Sequence, residues 1–381
     1  MRIVITGGKT GGHVFPALAV VESLLQSQRE SRLSKSGEDG SDSLDMSDLL
    51  YVGYAGGIED QAVLEAGIPL LSLSLATPDS VRNRLRFFLS GSLAVIRCMR
   101  RFRLFGPTVV FSTGGFVSLP GSLAAWFTRV PIVVYVPDAR PGKTVRFTKR
   151  LARSVAVTSE ETAALFGDAR AVSVTGYPVR AVFRHMKREP ARKALGLGDS
   201  EPQLLVMGGS QGSAAINRAV ADILPALLPW ARVLHVCGPQ HLAELETVWE
   251  SLPFDLRERY RLVATLDGER MAEAMFASDV AITRAGASVL GELPAASLPA
   301  ILIPLPINAQ DANAAALERH GAAVVLPQER LVSGELEPVV RSLLQDSDRR
   351  EAMRAALIRL RRPDAADRIA ELILDAGDRA A

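Results

Sequence analysis

The residues best suited to chemistry in this sequence are Arg284-Ala-Gly-Ala-Ser-Val-Leu-Gly-Glu292, which follow the apolar strand candidate Val280-Ala-Ile-Thr283. A strand that ends in a small-residue turn and opens into a helix leaves backbone N–H groups unpaired, where the macrodipole adds positive potential. That is an anion seat. Glu292 is expected two turns into the helix, too deep to cap it, on the face that Gly286 and Val289 open. Phosphates on the amides with a carboxylate behind them describe a nucleotide, the acid accepting both ribose hydroxyls. The alternative is a packed strand-turn-helix unit with a solvated Glu.

Four further turns share this character. The first strand runs into Thr6-Gly-Gly-Lys-Thr-Gly-Gly-His13. Its spacing fits neither a P-loop, which needs Gly where Ile3 stands, nor the dinucleotide pattern, which needs Gly at Lys9. The glycines still let a backbone approach a ligand closely. His13 at the mouth of the turn is either a general base near neutral pH or a helix cap. Ser112-Thr-Gly-Gly-Phe-Val-Ser118 is a second glycine turn on the same sheet edge, followed by Tyr135-Val-Pro-Asp-Ala-Arg-Pro-Gly142. Met207-Gly-Gly-Ser-Gln-Gly-Ser213 gives the second half another anion seat, and Asn308-Ala-Gln-Asp-Ala-Asn313 opens a helix with side-chain amides able to read sugar hydroxyls.

The elements that must position these turns are short apolar runs alternating with helical patterns. They are Ile3–Ile5, Leu50–Val52, Leu70–Leu75, Val109–Phe111, Ile132–Tyr135, Val155–Val157, Leu204–Val206, Val233–Val236, Ala281–Ile282, Ile301–Ile303 and Ala323–Leu326. Runs apolar on both faces and separated by helices indicate parallel sheets covered on two sides. The 381 residues therefore read as two doubly wound α/β domains, 1–178 and 179–362, joined at Gly176-Tyr-Pro-Val-Arg180. A last helix within 363–381, patterned over Ala365–Ala376, is expected to pack back on the first domain. Residues 27–48, rich in Ser, Asp, Glu and Gly, read as a mobile insertion.

A net charge of +2 argues against bulk nucleic-acid binding. Cys98 and Cys237 are too few and too far apart for a disulfide framework or a zinc site, and a reducing cytoplasm fits. No stretch is long and apolar enough to span a bilayer, and no signal peptide is expected. From Val81 to Phe105 an apolar pattern is studded with arginines and free of acids, broken at Ser90-Gly-Ser92. It is either a membrane-surface helix or a cover helix with a solvated basic face. A second stripe, Lys143, Arg146, Arg150 and Arg153, is spaced for one face of a helix.

Taken together, the ordered motifs resemble the MurG family of GT-B glycosyltransferases. The resemblance rests on Thr6–His13 with Phe15-Pro16, Thr113-Gly-Gly-Phe116, Gly176–Arg180, Gly208-Gly-Ser-Gln-Gly212, Arg284–Glu292 and the Gln310/Asn313 pair, and covers nearly the whole chain apart from 27–48. It implies two Rossmann-like domains facing a central cleft and inverting transfer of GlcNAc from UDP-GlcNAc to undecaprenyl-pyrophosphoryl-MurNAc-pentapeptide in peptidoglycan synthesis. On that resemblance Glu292 holds the ribose, amides from Gly286, Ala287, Ser288 and Val289 hold the diphosphate, Arg180 and Ser210 approach the nucleotide, and Gln310 contacts GlcNAc. The acceptor pyrophosphate meets Thr10, Gly11, Gly12, Gly114 and Gly115, with His13 the base. No cofactor or metal is expected, and the location implied is peripheral, on the cytoplasmic side of the cell membrane, against anionic lipid.

The family's usual His-Glu-Gln-Asn run is Tyr135-Val-Pro-Asp138 here, Lys9 replaces a usual third Gly, and the stretch before Gln310 is shorter and lacks the customary His. A MurG-like paralogue with another lipid or soluble acceptor therefore stays open. So do a UDP-GlcNAc 2-epimerase on the same fold and a non-catalytic nucleotide-sugar-binding protein.

Overall fold

The computed structural model describes all residues except 9–10, 35–43, 77–80, 168–171, 199–200, 306–308, 332–333 and 380–381, and for 28–34, 58 and 81–88 the backbone alone. The chain divides into two units, Met1–Ala181 with Arg362–Ala381, and Val182–Arg361.

In the first unit the strands are β1 (Ile3–Gly7), β2 (Leu49–Tyr54), β3 (Leu70–Leu73), β4 (Val109–Gly114), β5 (Ile132–Val136), β6 (Ser154–Val157) and β7 (Val172–Val174). They form one sheet in the order β3-β2-β1-β4-β5-β6-β7, every pairing parallel. The second unit carries β8 (Gln203–Met207), β9 (Arg232–Val236), β10 (Tyr260–Val263), β11 (Val280–Thr283), β12 (Ala300–Leu302) and β13 (Ala323–Val325). Its sheet, also all parallel, runs β10-β9-β8-β11-β12-β13. Both orders reverse between the first and fourth strands, so each unit is a Rossmann-like sheet with its switch point there. Strands β1, β4, β5, β8 and β11 are buried along their length or nearly so, as their apolar runs require under helices on both faces.

Two edge strands, β7 and β10, lie outside the sequence expectation. Each covers only one neighbour, so neither is uniformly buried and neither needs an unbroken apolar run.

Several boundaries move. The helix Gly11–Ser34 takes in residues 27–34 of the expected insertion, and Asp45 caps a short turn Met46–Asp48. The rest of that insertion, 35–43, lies outside the described residues. The helix Val81–Phe105 passes through Ser90-Gly-Ser92 without a break, since one Gly costs a helix only about 1 kcal/mol and Ala94, Cys98 and Phe102 bury its inner face. The basic stripe does not share one helix. That helix ends at Thr148, and Arg150 and Leu151 donate to Phe147 and Thr148 carbonyls in the turn toward β6.

The final helix, Ala365–Asp378, belongs to the first unit. It packs on Gly11–Ser34, where the Ser23 hydroxyl donates to Asp367 at 2.6 Å. The link between the units also falls later than residue 178. Tyr135 donates its hydroxyl to the Gly176 carbonyl at 3.2 Å, and the Ala181 N–H donates to Glu22 at 3.1 Å, which ties this segment to the first unit.

Candidate functional site

In the first unit the turns after β1 and β4 are neighbours, because the strands are paired through Ile3–Gly7. Gly11 and Gly12 open a helix of which His13 is the third residue. The His13 Nδ1 lies 2.8 Å from the Thr113 carbonyl oxygen. A carbonyl only accepts, so in the neutral ring the proton sits on Nδ1 and the lone pair on Nε2. The ring thus reaches the neighbouring strand instead of its own helix start, and its second nitrogen has the form of a base.

Gly114 and Gly115, at φ +87° and +77°, give the ring its room. A Cβ at Gly115 would stand 3.3 Å from His13 Cδ2, and one at Gly114 would stand 3.0 Å from a Val145 methyl. The structure therefore brings Gly11, Gly12, His13, Gly114 and Gly115 together. Thr10 lies outside the described residues.

Sequence reasoning missed Glu59. The side chain is buried, its Oε1 accepts the Tyr54 N–H at 2.8 Å, and a Cβ at Gly8 would fall 2.0 Å from that oxygen. The signal was present: Gly8, Gly53 and Gly57 leave space that only a neighbouring side chain could fill. Tyr135 is also structural. Its buried ring packs edge-on against Tyr177, and burial pushes its hydroxyl well above the usual phenol range.

Arg180 belongs to the first unit, at its boundary with the second, and its guanidinium carbon lies 5.4 Å over the Phe15 ring. A planar cation over an aromatic face is drawn to the negative potential of the ring.

In the second unit the turn after β11 leads into the helix Val289–Ala296. Glu292 therefore stands in the first helical turn, not two turns in, because Gly286-Ala-Ser288 form an irregular turn ahead of it. The Val289 N–H donates back to the Gly286 carbonyl at 3.2 Å, which removes it from the anion seat. The amides of Gly286, Ala287 and Ser288 have no backbone acceptor among the described residues. Around Gly286 there is open space: a Cβ there would meet nothing within 4 Å.

Ser210 lies exposed in the turn after β8. Gln310 opens the helix Gln310–Arg319, its amide oxygen accepting the Leu305 N–H at 3.0 Å. Asn313 is fully buried and donates to the Ala285 carbonyl at 3.1 Å, so it shapes the Gly286 turn instead of reading sugar hydroxyls. Asn308 lies outside the described residues. Arg284 is a clamp. It donates to Ser213 Oγ at 2.6 Å, to Gln328 Oε1 at 2.8 Å and to the Ile303 carbonyl at 3.1 Å. Ser210, Gly286–Ser288, Glu292 and Gln310 thus all belong to one unit and to the C-terminal ends of its strands, where open parallel sheets bind ligands.

Models of the glycosyltransferase family 28 N-terminal and C-terminal domains match residues 44–157 and 203–369. The chain is 37% identical to the UDP-N-acetylglucosamine--N-acetylmuramyl-(pentapeptide) pyrophosphoryl-undecaprenol N-acetylglucosamine transferase of Roseiflexus sp. (strain RS-1), over 98% of this chain and 94% of that protein. The same transferase of Symbiobacterium thermophilum is 36% identical, over 98% and 96%. The chain belongs to the MurG family. Its fold agrees with the crystal structure of MurG from Acinetobacter baumannii, with a TM-score of 0.70, 23% identity, and coverage of 98% of this chain and 99% of that one. Where the chain departs from the MurG pattern, Tyr135 spends its hydroxyl on Gly176 inside the fold.

Proposed function

We propose that this protein is an inverting glycosyltransferase that moves GlcNAc from UDP-GlcNAc to a lipid-linked MurNAc-pentapeptide, the step from lipid I to lipid II in peptidoglycan synthesis. The observation that carries the proposal is the His13–Thr113 bond at 2.8 Å, which leaves Nε2 as the lone-pair nitrogen beside a double glycine turn. Family membership over the full chain supplies the substrate class.

In the proposed reaction the acceptor hydroxyl gives its proton to His13 Nε2 as its oxygen bonds the anomeric carbon of GlcNAc. The bond from that carbon to the diphosphate breaks, and its electron pair leaves on UDP. Gly11, Gly12, Gly114 and Gly115 serve the acceptor pyrophosphate. The amides of Gly286–Ser288 stabilise the charge growing on UDP, Glu292 takes the ribose hydroxyls, Gln310 the sugar, and Ser210 the nucleotide. Fixed amides supply this stabilisation without a metal, so activity should survive chelation. Among the described residues no three acids, histidines or cysteines converge to hold an ion.

We further place the protein on the cytoplasmic face of the membrane as a peripheral enzyme. Among the described residues no helix is long and apolar enough to cross a bilayer. Leu89, Leu93, Ile96, Leu104, Trp126, Phe127 and Phe147 of the first unit are 44–79% exposed, with Arg97, Arg100, Arg101, Arg103, Lys143 and Arg146 exposed on the same helices as several of them. Arg82, Arg84 and Arg86 have side chains outside the described residues. Apolar side chains rimmed by cations suit an anionic lipid surface.

Radiolabelled UDP-GlcNAc with the lipid-linked acceptor should give a GlcNAc-extended lipid, in the presence of EDTA as well as without it. Absence of product beside an active control enzyme overturns the transferase proposal, and solvent deuterium at C2 of the sugar without acceptor establishes the epimerase instead. Flotation with phosphatidylglycerol vesicles, but not with phosphatidylcholine alone, tests the membrane assignment; Leu93→Glu should abolish it.

A further inference from the structure

Behind the turn Gly208–Ser213 lies a chain of buried polar side chains that none of the proposed chemistry uses. Tyr260 on β10, His235 on β9 and Asn217 on the helix Ala214–Leu227 are at most 3% exposed. His235 Nδ1 is 2.9 Å from the Tyr260 hydroxyl, and its Nε2 is 3.0 Å from Asn217 Oδ1. Asn217 Nδ2 then donates to the Cys237 carbonyl at 2.9 Å.

The polarity of the chain is fixed from its far end. The Cys237 carbonyl can only accept, so the Asn217 NH2 points at it and the Asn217 oxygen faces His235. His235 must then carry its proton on Nε2 and accept at Nδ1 from the Tyr260 hydroxyl. Along the chain the Tyr260 hydroxyl, the His235 Nε2–H and one Asn217 N–H each meet an acceptor. Burial keeps the ring neutral, pushing its pKa down to about 3, so this chain keeps one polarity at physiological pH.

The carbonyl at the end of the chain touches the glycine turn. A Cβ on Gly212 would fall 1.9 Å from the Cys237 oxygen, and one on Gly238 would fall 2.5 Å from the Gln211 oxygen. Two backbone segments therefore pack directly on each other, with Gly212 at φ +74° and Gly238 at φ +90°. Where the Cys237 carbonyl stands decides where Gly212 stands, and with it Ser210 and the amides of this turn.

We propose that Tyr260, His235 and Asn217 are positioning residues for the nucleotide-sugar donor: through the Cys237 carbonyl they hold the Gly208–Ser213 turn in its binding shape. The inference rests on the assignment of the donor to the second unit. It assigns a role in the reaction to three residues that touch neither substrate.

The test compares full-length wild type, His235→Leu, His235→Gln and Tyr260→Phe by calorimetric titration with UDP, by steady-state kinetics and by thermal melting. His235→Leu removes both bonds, whereas His235→Gln keeps an N–H for Asn217. Loss of a buried hydrogen bond of this kind costs on the order of tenfold in an equilibrium constant. His235→Leu should raise the Kd for UDP and the KM for UDP-GlcNAc about tenfold while the acceptor KM stays within about twofold, and His235→Gln should recover most of that loss. A folded His235→Leu that binds UDP like wild type, or one whose donor and acceptor KM values rise together, overturns the proposal. Should His235→Leu fail to fold, Tyr260→Phe decides: a Kd about threefold weaker supports the chain, and an unchanged Kd overturns it. A wild-type protein that does not bind UDP at all would instead remove the donor assignment on which this rests.

Discussion

The turn after β4 and the turn after β8 are both glycine-rich and both hold glycines at positive φ, 87° and 77° at Gly114 and Gly115, 90° and 74° at Gly209 and Gly212. They are built from opposite sides. The first turn receives a side chain on its outer face, the His13 ring against Gly114 and Gly115. Behind it, the hydroxyls of Thr6, Ser112, Thr113 and Ser122 are buried without hydrogen-bond partners among the described residues. The second turn presents backbone and the exposed Ser210 and Gln211, and the polar side chains behind it, Asn217, His235 and Tyr260, are paired with one another and with the Cys237 carbonyl. A turn that seats a base from a neighbouring element needs room for that side chain; a turn that presents backbone alone needs its backbone held. The two constructions match the two jobs proposed for them.

The sharpest way to break this comparison is to remove the base from one turn and the acid from the other unit. His13→Ala should lower kcat by roughly 10²–10⁴, the range for general-base catalysis, and leave the Kd for UDP unchanged. Glu292→Ala should act the other way, raising donor KM about 10–100-fold through lost charge-assisted bonds while the acceptor KM holds. Stopped-flow and steady-state assays of both variants, with either substrate varied, separate the two. If His13→Ala moved donor affinity, or Glu292→Ala moved only kcat, the division of labour between the units would be wrong.

A somewhat smaller effect is expected from acid. His235 has a folded pKa of about 3, below the unfolded imidazole value of about 6.5, so the unfolded chain binds more protons between them. Its contribution to stability is complete above about pH 6.5 and is lost as pH falls toward 3, amounting to at most about 5 kcal/mol. Denaturant unfolding of wild type and His235→Gln at pH 7 and pH 4.5 should show the gap between them closing at the lower pH. A constant gap would mean that the imidazole takes its proton without disturbing the fold.

Gly212→Ala should follow, destabilising by about 3 kcal/mol because φ is +74° and the new methyl meets a backbone carbonyl 1.9 Å away. Gly286→Ala, with open space and no positive φ, should change stability by less than about 0.5 kcal/mol. Equal melting shifts for the two would show that the Gly208–Ser213 turn is not pressed against Cys237.

These contrasts also mark what the sequence made legible. Strands buried on both faces announced themselves as apolar runs, and the glycine turns that follow them are where the parallel order puts ligands. The edge strands β7 and β10 did not, since a partly buried strand needs no such run, although the edge strands β3 and β13 kept one. Within the site, glycine positions and His13 could be read because their chemistry is carried by residue type. Arg284, Asn313 and Asn217 could not, because a polar side chain reads as a ligand contact until its partner is known, and here each partner is a backbone or side-chain group on another element. His235 inside Val233-Leu-His-Val236 was the one available hint, a polar residue in an otherwise buried strand.

The smallest effect belongs to the first unit and tests its side of the comparison. Thr6 is fully buried on β1, its hydroxyl has no hydrogen-bond partner among the described residues, and a Cβ on Gly121 would stand 2.9 Å from that oxygen. A buried hydroxyl without a partner contributes desolvation cost and no bond, so replacing it with a methyl of nearly the same shape should be neutral or stabilising by up to about 1 kcal/mol. Overpacking against Gly121 opposes that gain, which keeps the net small. Tyr260→Phe, by contrast, deletes a hydroxyl that is paired and should lower the melting temperature by a few degrees, as about 1 kcal/mol does in a unit of this size. Thr6→Val melting at or above wild type, beside Tyr260→Phe melting below it, would establish that only the second turn is held from behind. Were Thr6→Val the more damaging of the two, the hydroxyls under the first turn would be joined through bound water, and both turns would rest on polar supports.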